Sequence, residues 1–186
     1  MRAFVAIELP PQVRQALGRL QNPPGGQQVK WVRAEGIHLT LKFLGEVEEA
    51  RVPELTQALT GACGGLRPFR LHLAGLGVFP GPSRPRVAWV GLAGEIDRLL
   101  QLQSRVEGAL ASLGFPPEQR PFTAHLTLAR LREGTGPQEA QAFGEAFLRQ
   151  TVAEMDFPVE GVSLMRSQLK PSGAEYTRLA LIPLGG

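Results

Sequence analysis

The chain has 186 residues, of which 43% are hydrophobic and 20% are charged, and its formal net charge is +3. These values are typical of a soluble globular protein with one core, and they exclude a disordered or fibrous chain. We find no apolar stretch near 18 residues and no charged leader before an apolar run, so we expect one domain spanning residues 1–186 in a cytoplasmic protein.

Predicted strands and helices alternate in the first half of the chain. Residues 2–9 are β-branched and aromatic and end at two prolines, which predicts a strand. The apolar spacing after these prolines predicts a helix, and a turn follows at Asn22–Gly26. Further strands are predicted at 29–33, from 38, at 67–79 and at 86–92, and a helix at 48–63.

The second half continues in the same way. It predicts the longest helix at 95–113, a strand from 125 and a helix at 138–149. Two strands close the chain at 156–169, with a bulge near Gly161, and at 175–183. Each half thus has a helix near one strand of special sequence, which suggests two similar α+β lobes related by a pseudo-two-fold axis.

That special sequence is the tetrapeptide His-Leu-Thr-Leu, which occurs at 38–41 and again at 125–128. Given the composition of the chain, a second copy would arise by chance with odds of roughly one in a few hundred. Polar and apolar residues alternate in both copies, as in a half-buried strand. His38 and Thr40 therefore share one face of their strand, and His125 and Thr127 share one face of theirs. The same parity puts Arg130 on the opposite face from His125, so Arg130 would reach a ligand only at a strand end or a twist.

Two imidazoles on facing strands can perform acid–base chemistry near neutral pH, because the ordinary pKa of histidine is about 6.5. On either side of a phosphodiester, one imidazole would remove a proton from the nucleophile and the other would protonate the leaving oxygen. The hydroxyls of Thr40 and Thr127 could donate hydrogen bonds to phosphate oxygens. The sequence does not decide which histidine is the acid.

Other sites have weaker support. Two histidines can bind iron or zinc, but no carboxylate stands at the usual spacing from either copy. A serine nucleophile lacks its Gly-x-Ser-x-Gly turn. We interpret His72 as a structural strand residue and Cys63, the only cysteine, as an idle thiol. Seventeen of the 20 basic residues are arginines, which suits an RNA partner but equally suits the codon preference of a GC-rich genome.

Taken together, the sequence resembles the 2H phosphoesterases, and within them the RNA 2′,3′-cyclic phosphodiesterases, formerly called 2′-5′ RNA ligases. Four blocks carry the resemblance in the family's order: RAFVAIELP, HLTLKFLGEV, HLTLAR and SQLKPSGAEYTRL. Ala124 departs from the proline that often precedes the second histidine in this family, a change that removes no chemical group.

The resemblance implies a bilobal α+β fold, with two antiparallel sheets around a central groove and helices outside. It implies hydrolysis of an RNA terminal 2′,3′-cyclic phosphate to a 2′-phosphomonoester without metal or other cofactor, with His38 as proton donor and His125 as proton acceptor. Thr40, Thr127 and Arg130 would bind the substrate. The alternatives are ATP-independent 2′-5′ joining of tRNA halves and a non-catalytic RNA-binding module.

We expect a monomer whose partner is RNA with a cyclic phosphate end. Six basic residues are candidates for contacts with the RNA backbone: Arg2, Lys42, Arg84, Arg86, Arg130 and Arg132.

Overall fold

The computed structural model describes residues 1–21 and 28–185, so the turn predicted at Asn22–Gly26 lies outside the described residues. Four α-helices occur in the described part: α1 (Pro11–Gly18), α2 (Val52–Cys63), α3 (Ile96–Ala111) and α4 (Pro137–Leu148). The strands found there are β1 (Arg2–Glu8), β2 (Val29–Trp31), β3 (His38–Glu46), β4 (Phe69–Phe79), β5 (Val87–Gly94), β6 (His125–Leu131), β7 (Asp156–Val159), β8 (Gly161–Lys170) and β9 (Gly173–Pro183).

The strands form two antiparallel sheets, as the fold prediction required. The four-stranded sheet has the order β3-β1-β8-β9, and the five-stranded sheet has the order β2-β6-β5-β4-β7. If β2 is set aside, the two orders correspond strand by strand, and the two His-Leu-Thr-Leu strands, β3 and β6, take the same place. The pseudo-two-fold relation between the sheets is therefore visible in their topology.

The two sheets are nevertheless not the two halves of the chain. The four-stranded sheet joins β1 and β3 from the first half to β8 and β9 from the second, whereas β2 and β4 pair into the sheet that holds β6. The expectation that each half folds into its own lobe is therefore wrong in this respect. Each sheet is therefore completed by pairing between strands that are far apart in sequence.

The single strand predicted at 156–169 is also wrong, because it is divided between the sheets. β7 pairs with β4, while β8 pairs with β1 and β9. Gly161 stands at the crossing, and a Cβ there would lie 2.5 Å from the carbonyl oxygen of Ile182. Only glycine permits this close approach of β8 to β9. In place of the bulge expected near Gly161, the chain changes sheet there.

One apolar core connects the sheets and the helices. α3 contributes a buried stripe at helical spacing, formed by Leu99, Leu102, Val106 and Leu110. α2 packs against α3 and β9, and α3 contacts β3, so these helices cover the four-stranded sheet, while α4 contacts β4 of the other sheet. No helix within the described ranges is both long enough and apolar enough to cross a membrane.

Candidate active site

The two His-Leu-Thr-Leu strands, β3 and β6, contact each other although they belong to different sheets. In both strands the histidine and the threonine are half-buried and the intervening leucines are buried, which is the predicted alternation. His38 and Thr40 thus face away from the core, as do His125 and Thr127. We call the surface formed by these four residues and their neighbours the groove.

Both threonine hydroxyls of the groove are available to a ligand. Within residues 1–21 and 28–185, the side chains of Thr40 and Thr127 have no hydrogen-bond partner. Each is only half-buried and stands two residues from an imidazole on the same face. Each hydroxyl can donate a hydrogen bond to an anion bound on its face of the strand.

Each strand carries a β-bulge at the fourth residue of its tetrapeptide. The pairing of β3 with β1 skips Leu41, and the pairing of β6 with β5 skips Leu128. A glutamine side chain donates a hydrogen bond to the carbonyl oxygen of each bulge residue. Gln103 Nε2 lies 3.5 Å from the oxygen of Leu41, and Gln21 Nε2 lies 3.3 Å from the oxygen of Leu128. Because a bulge adds one residue to a strand, each side chain after it lies on the opposite face from the one that simple alternation predicts.

The bulge overturns the parity prediction for Arg130. Leu128 and Ala129 are both buried, and Arg130 is exposed on the same side of β6 as His125 and Thr127. Its charge also acts on Tyr176 of β9, in the other sheet. The side chain therefore lies on the face of β6 that carries His125 and Thr127. The corresponding residue of β3 is Phe43, which is 74% exposed.

Lys42 follows the first bulge and is not available to RNA. Its Nζ donates to Glu107 Oε2 at 2.7 Å and to the carbonyl oxygen of Pro116 at 2.8 Å. Only 5% of its side chain is exposed, against 15% for that of Glu107. The prediction that Lys42 contacts the RNA backbone is wrong, because the bulge turns this side chain toward the core, where it pairs with α3. The other candidates Arg2, Arg84, Arg86, Arg130 and Arg132 are exposed.

A backbone carbonyl fixes the orientation of each imidazole. His38 Nδ1 lies 2.7 Å from the oxygen of Gly36, and His125 Nδ1 lies 2.8 Å from that of Thr123. A carbonyl oxygen only accepts, so each Nδ1 must carry a hydrogen and donate it. The chemistry of each ring is thereby left to Nε2, which takes up a proton in the neutral ring and gives one up in the imidazolium.

Aromatic rings complete the setting of both histidines. The His38 ring stacks on Phe4 with centroids 4.7 Å apart and meets Tyr176 edge-on at 5.0 Å. His125 meets Phe79 edge-on at 5.2 Å and contacts Trp89 at 6.2 Å. No pattern in the sequence marks these four residues as part of the site, since an aromatic residue in a strand is typical of any core.

Burial is the main influence on the pKa of His38. It lowers the pKa of this imidazole, and the hydrogen bond to Gly36 and the negative charge of Glu8 only partly oppose it. Burial also raises the pKa of the Tyr176 phenol, against the opposing charge of Arg130, so Tyr176 is neutral near pH 7. On balance the surroundings of His38 therefore disfavour its positive charge, even with the negative charge of Glu8 acting on it.

The other reactive side chains lie elsewhere. Burial raises the pKa of the Cys63 thiol to about 11, against the opposing charge of Arg105, which agrees with an idle thiol. His72 on β4 lies 3.7 Å from the carboxylates of Glu154 and Asp156. Across the described part of the chain, no three His, Cys, Asp or Glu side chains form a group that could hold a metal ion.

Comparisons with known proteins agree with this duplicated site. The family model of the LigT-like phosphoesterases matches the chain twice, at residues 7–89 and 90–176, so each match contains one His-Leu-Thr-Leu tetrapeptide. A curated RNA 2′,3′-cyclic phosphodiesterase of Methanothermobacter thermautotrophicus is 34% identical over 190 residues, with 99% of both chains covered. One of Thermus thermophilus is 36% identical, over 100% of this chain and 91% of its own.

Solved structures show the same fold. The crystal structure of the protein TT0787 from Thermus thermophilus has a TM-score of 0.82 and 32% identity, covering 100% of this chain and 99% of its own. Escherichia coli LigT in complex with 3′-AMP has a TM-score of 0.76 and 26% identity, covering 98% and 97%. The similarity therefore extends over both sheets and both tetrapeptides.

Proposed function

The chain belongs to the LigT-like phosphoesterase family, and we propose that it hydrolyses an RNA terminal 2′,3′-cyclic phosphate to a 2′-phosphomonoester by metal-free acid–base catalysis. One observation carries the mechanism. Each imidazole donates its Nδ1 hydrogen to a backbone carbonyl two residues earlier, so each presents Nε2 for proton transfer beside a free threonine hydroxyl.

The roles of the two histidines are His125 as base and His38 as acid. Neutral His125 takes a proton from water, whose oxygen forms a bond to phosphorus. The bond from phosphorus to the 3′ oxygen breaks, and the Nε2 hydrogen of protonated His38 passes to that oxygen. Each histidine ends in the other's starting protonation state, and proton exchange with solvent restores both.

The remaining groove side chains stabilise the charge of the phosphate. Thr40 and Thr127 donate hydrogen bonds to its non-bridging oxygens. The positive guanidinium of Arg130 stabilises the negative charge that grows in the transition state. Phe43 is exposed beside Phe4, with ring centroids 6.3 Å apart, and offers an apolar surface on which a nucleobase can stack. These features support RNA as the substrate class.

The test is turnover of an oligonucleotide that ends in a 2′,3′-cyclic phosphate, in the presence of a chelator. His38→Ala and His125→Ala should each lower the rate about 10²–10⁴-fold, the typical contribution of a general acid or base. His72→Ala is the matched control, since His72 is the third histidine of the chain and lies outside the groove, and it should leave the rate unchanged.

Other outcomes would refute the proposal in distinct ways. Loss of activity on chelation would exclude the metal-free mechanism, and full activity in either histidine variant would exclude the pair. Joining of paired tRNA halves without hydrolysis would favour the 2′-5′ ligase, in which a 5′-hydroxyl replaces water. Binding of RNA ends without turnover would favour the binding module. The monomeric state and cytoplasmic location stay predictions, and the former is checked by sedimentation.

A further inference from the structure

The two half-sites differ in the residue that pairs with each histidine. On β1 the partner of His38 is Glu8, and on β5 the partner of His125 is Gly91. β1 and β5 occupy corresponding places in the two sheets, so Glu8 and Gly91 are corresponding residues. Directly opposed side chains of an antiparallel pair lie about 4.5–5.5 Å apart at Cβ. A carboxylate therefore stands beside one imidazole at a position that is bare beside the other.

The backbone keeps this difference in place. A Cβ on Gly91 would lie 2.5 Å from the carbonyl oxygen of Ala74, a distance that real Cβ atoms do not adopt. No side chain, and hence no carboxylate, fits opposite His125 without a shift of β4. The asymmetry is thus a property of the fold and not of one exchangeable side chain.

Glu8 is held in an ionised state. Arg178 Nε lies 2.7 Å from its Oε2, and the hydroxyl of Ser163, a residue only 1% exposed, donates to the same oxygen at 2.5 Å. Burial would raise the pKa of Glu8, but the hydrogen bonds from Arg178 and Ser163 outweigh it and lower the pKa. The positive charge of Arg14 on α1 acts in the same direction.

β1 lies between the strand of His38 and the strands of the two side chains that bind the Glu8 carboxylate. In the order β3-β1-β8-β9, His38 lies on one side of β1, and Ser163 and Arg178 lie on the other. The rings of Phe4 and Tyr176 contact the His38 ring, the Gly36 carbonyl oxygen accepts from its Nδ1, and the negative charge of Glu8 acts to raise its pKa. Glu8 carries the only full charge in this set.

We propose that Glu8 is the positioning residue that assigns the general-acid role to His38, by stabilising the imidazolium of this histidine and not that of His125. The proposal rests on the function proposed above and supplies what the two equivalent Nε2 atoms lack, a difference in what stabilises their protonated forms. Burial against Phe4 and Tyr176 opposes the protonated form of His38, and the carboxylate offsets part of that cost.

The direct test is an NMR titration of 15N-labelled histidine side chains, which is simple because the chain has three histidines. In Glu8→Gln the midpoint of His38 should fall by roughly 0.5–1 pH unit, the size expected when one nearby partly screened charge is removed. His125 should not move. Glu8→Asp, which keeps the charge, should stay nearer to wild type. Glu46→Gln, at the far end of β3, is the matched control and should change nothing.

The kinetic test is the pH profile of kcat/KM on the cyclic phosphate substrate. The acid must be protonated to work, so the rate falls as pH rises through its pKa, and Glu8→Gln should shift this alkaline limb downward by the same interval. The acidic limb, which reports the base, should stay in place.

Unchanged titration of His38, equal shifts of both groove histidines, or movement of the acidic limb alone would overturn the assignment. If the wild-type protein hydrolyses no cyclic phosphate, the proposed function fails, while the titration still decides whether Glu8 stabilises the His38 imidazolium.

Discussion

Replacing Glu107 should destabilise the protein strongly, because Lys42 would be left charged and buried. Their side chains are 5% and 15% exposed and are joined at 2.7 Å, and among residues 1–21 and 28–185 the ammonium has one other partner, the carbonyl oxygen of Pro116. Breaking one side of such a pair costs about 3–5 kcal/mol. In a chain of 186 residues each kcal/mol lowers Tm by about 2–4 °C, so Glu107→Ala should lose roughly 6–20 °C.

Urea unfolding of three variants checks this magnitude. The double variant Lys42→Met with Glu107→Leu removes both charges and should lie within about 2 kcal/mol of wild type. Glu175→Ala is the control, since the Lys170–Glu175 pair has a similar 2.6 Å contact but side chains 48% and 45% exposed, and it should cost under about 1 kcal/mol. A stable, correctly folded double variant that has lost RNA turnover would refute the structural role of Lys42.

Three further predictions concern the groove. Arg130→Gln should lower kcat/KM roughly 10- to 100-fold, the value of one charge-assisted contact. The control Arg149→Gln, at the exposed C-terminal end of α4, should leave kcat/KM unchanged. If Arg130→Gln is as active as the wild-type protein, Arg130 is not part of the site. Gly77→Ala would place a Cβ 2.0 Å from the Trp89 ring, so it should cost about 1–3 kcal/mol in urea unfolding and shift tryptophan emission. Burial lowers the pKa of His38 below its ordinary value of 6.5, so the alkaline limb of the kcat/KM profile should lie below pH 6.5. The alkaline limb of the kcat profile should lie at higher pH, because the bound substrate anion stabilises the imidazolium. Alkaline limbs at the same pH in the two profiles would contradict this.

Alternation along the strands was enough to predict the paired half-sites. The spacing of polar and apolar residues in the two tetrapeptides placed His38 with Thr40 and His125 with Thr127, and the burial of the intervening leucines follows that pattern. Simple parity fails one residue later, because a bulge depends on how a strand pairs with its neighbour and leaves no mark in its own sequence. Arg130 was therefore assigned to the wrong face.

Pairing between distant segments also hid the electrostatics. Glu8 is the last residue of its strand in sequence and resembles any polar strand end, yet it pairs with His38 and contacts Ser163, 155 positions away. Lys42 directly follows the first His-Leu-Thr-Leu tetrapeptide and so resembles a ligand-binding cation, until its pairing with Glu107 of α3 is known. Both roles depend on tertiary contacts, which periodicity does not encode.

The presence of both tetrapeptide strands in one polypeptide affects how the surroundings of the two histidines can come to differ. A symmetric dimer of one half would put identical surroundings around both histidines, since any residue beside one would also stand beside the other. Joining the halves in one polypeptide removes that constraint. Each position can then mutate independently of its counterpart, and Glu8 and Gly91, at corresponding positions of the two sheets, are a difference that only a fused, asymmetric chain can carry.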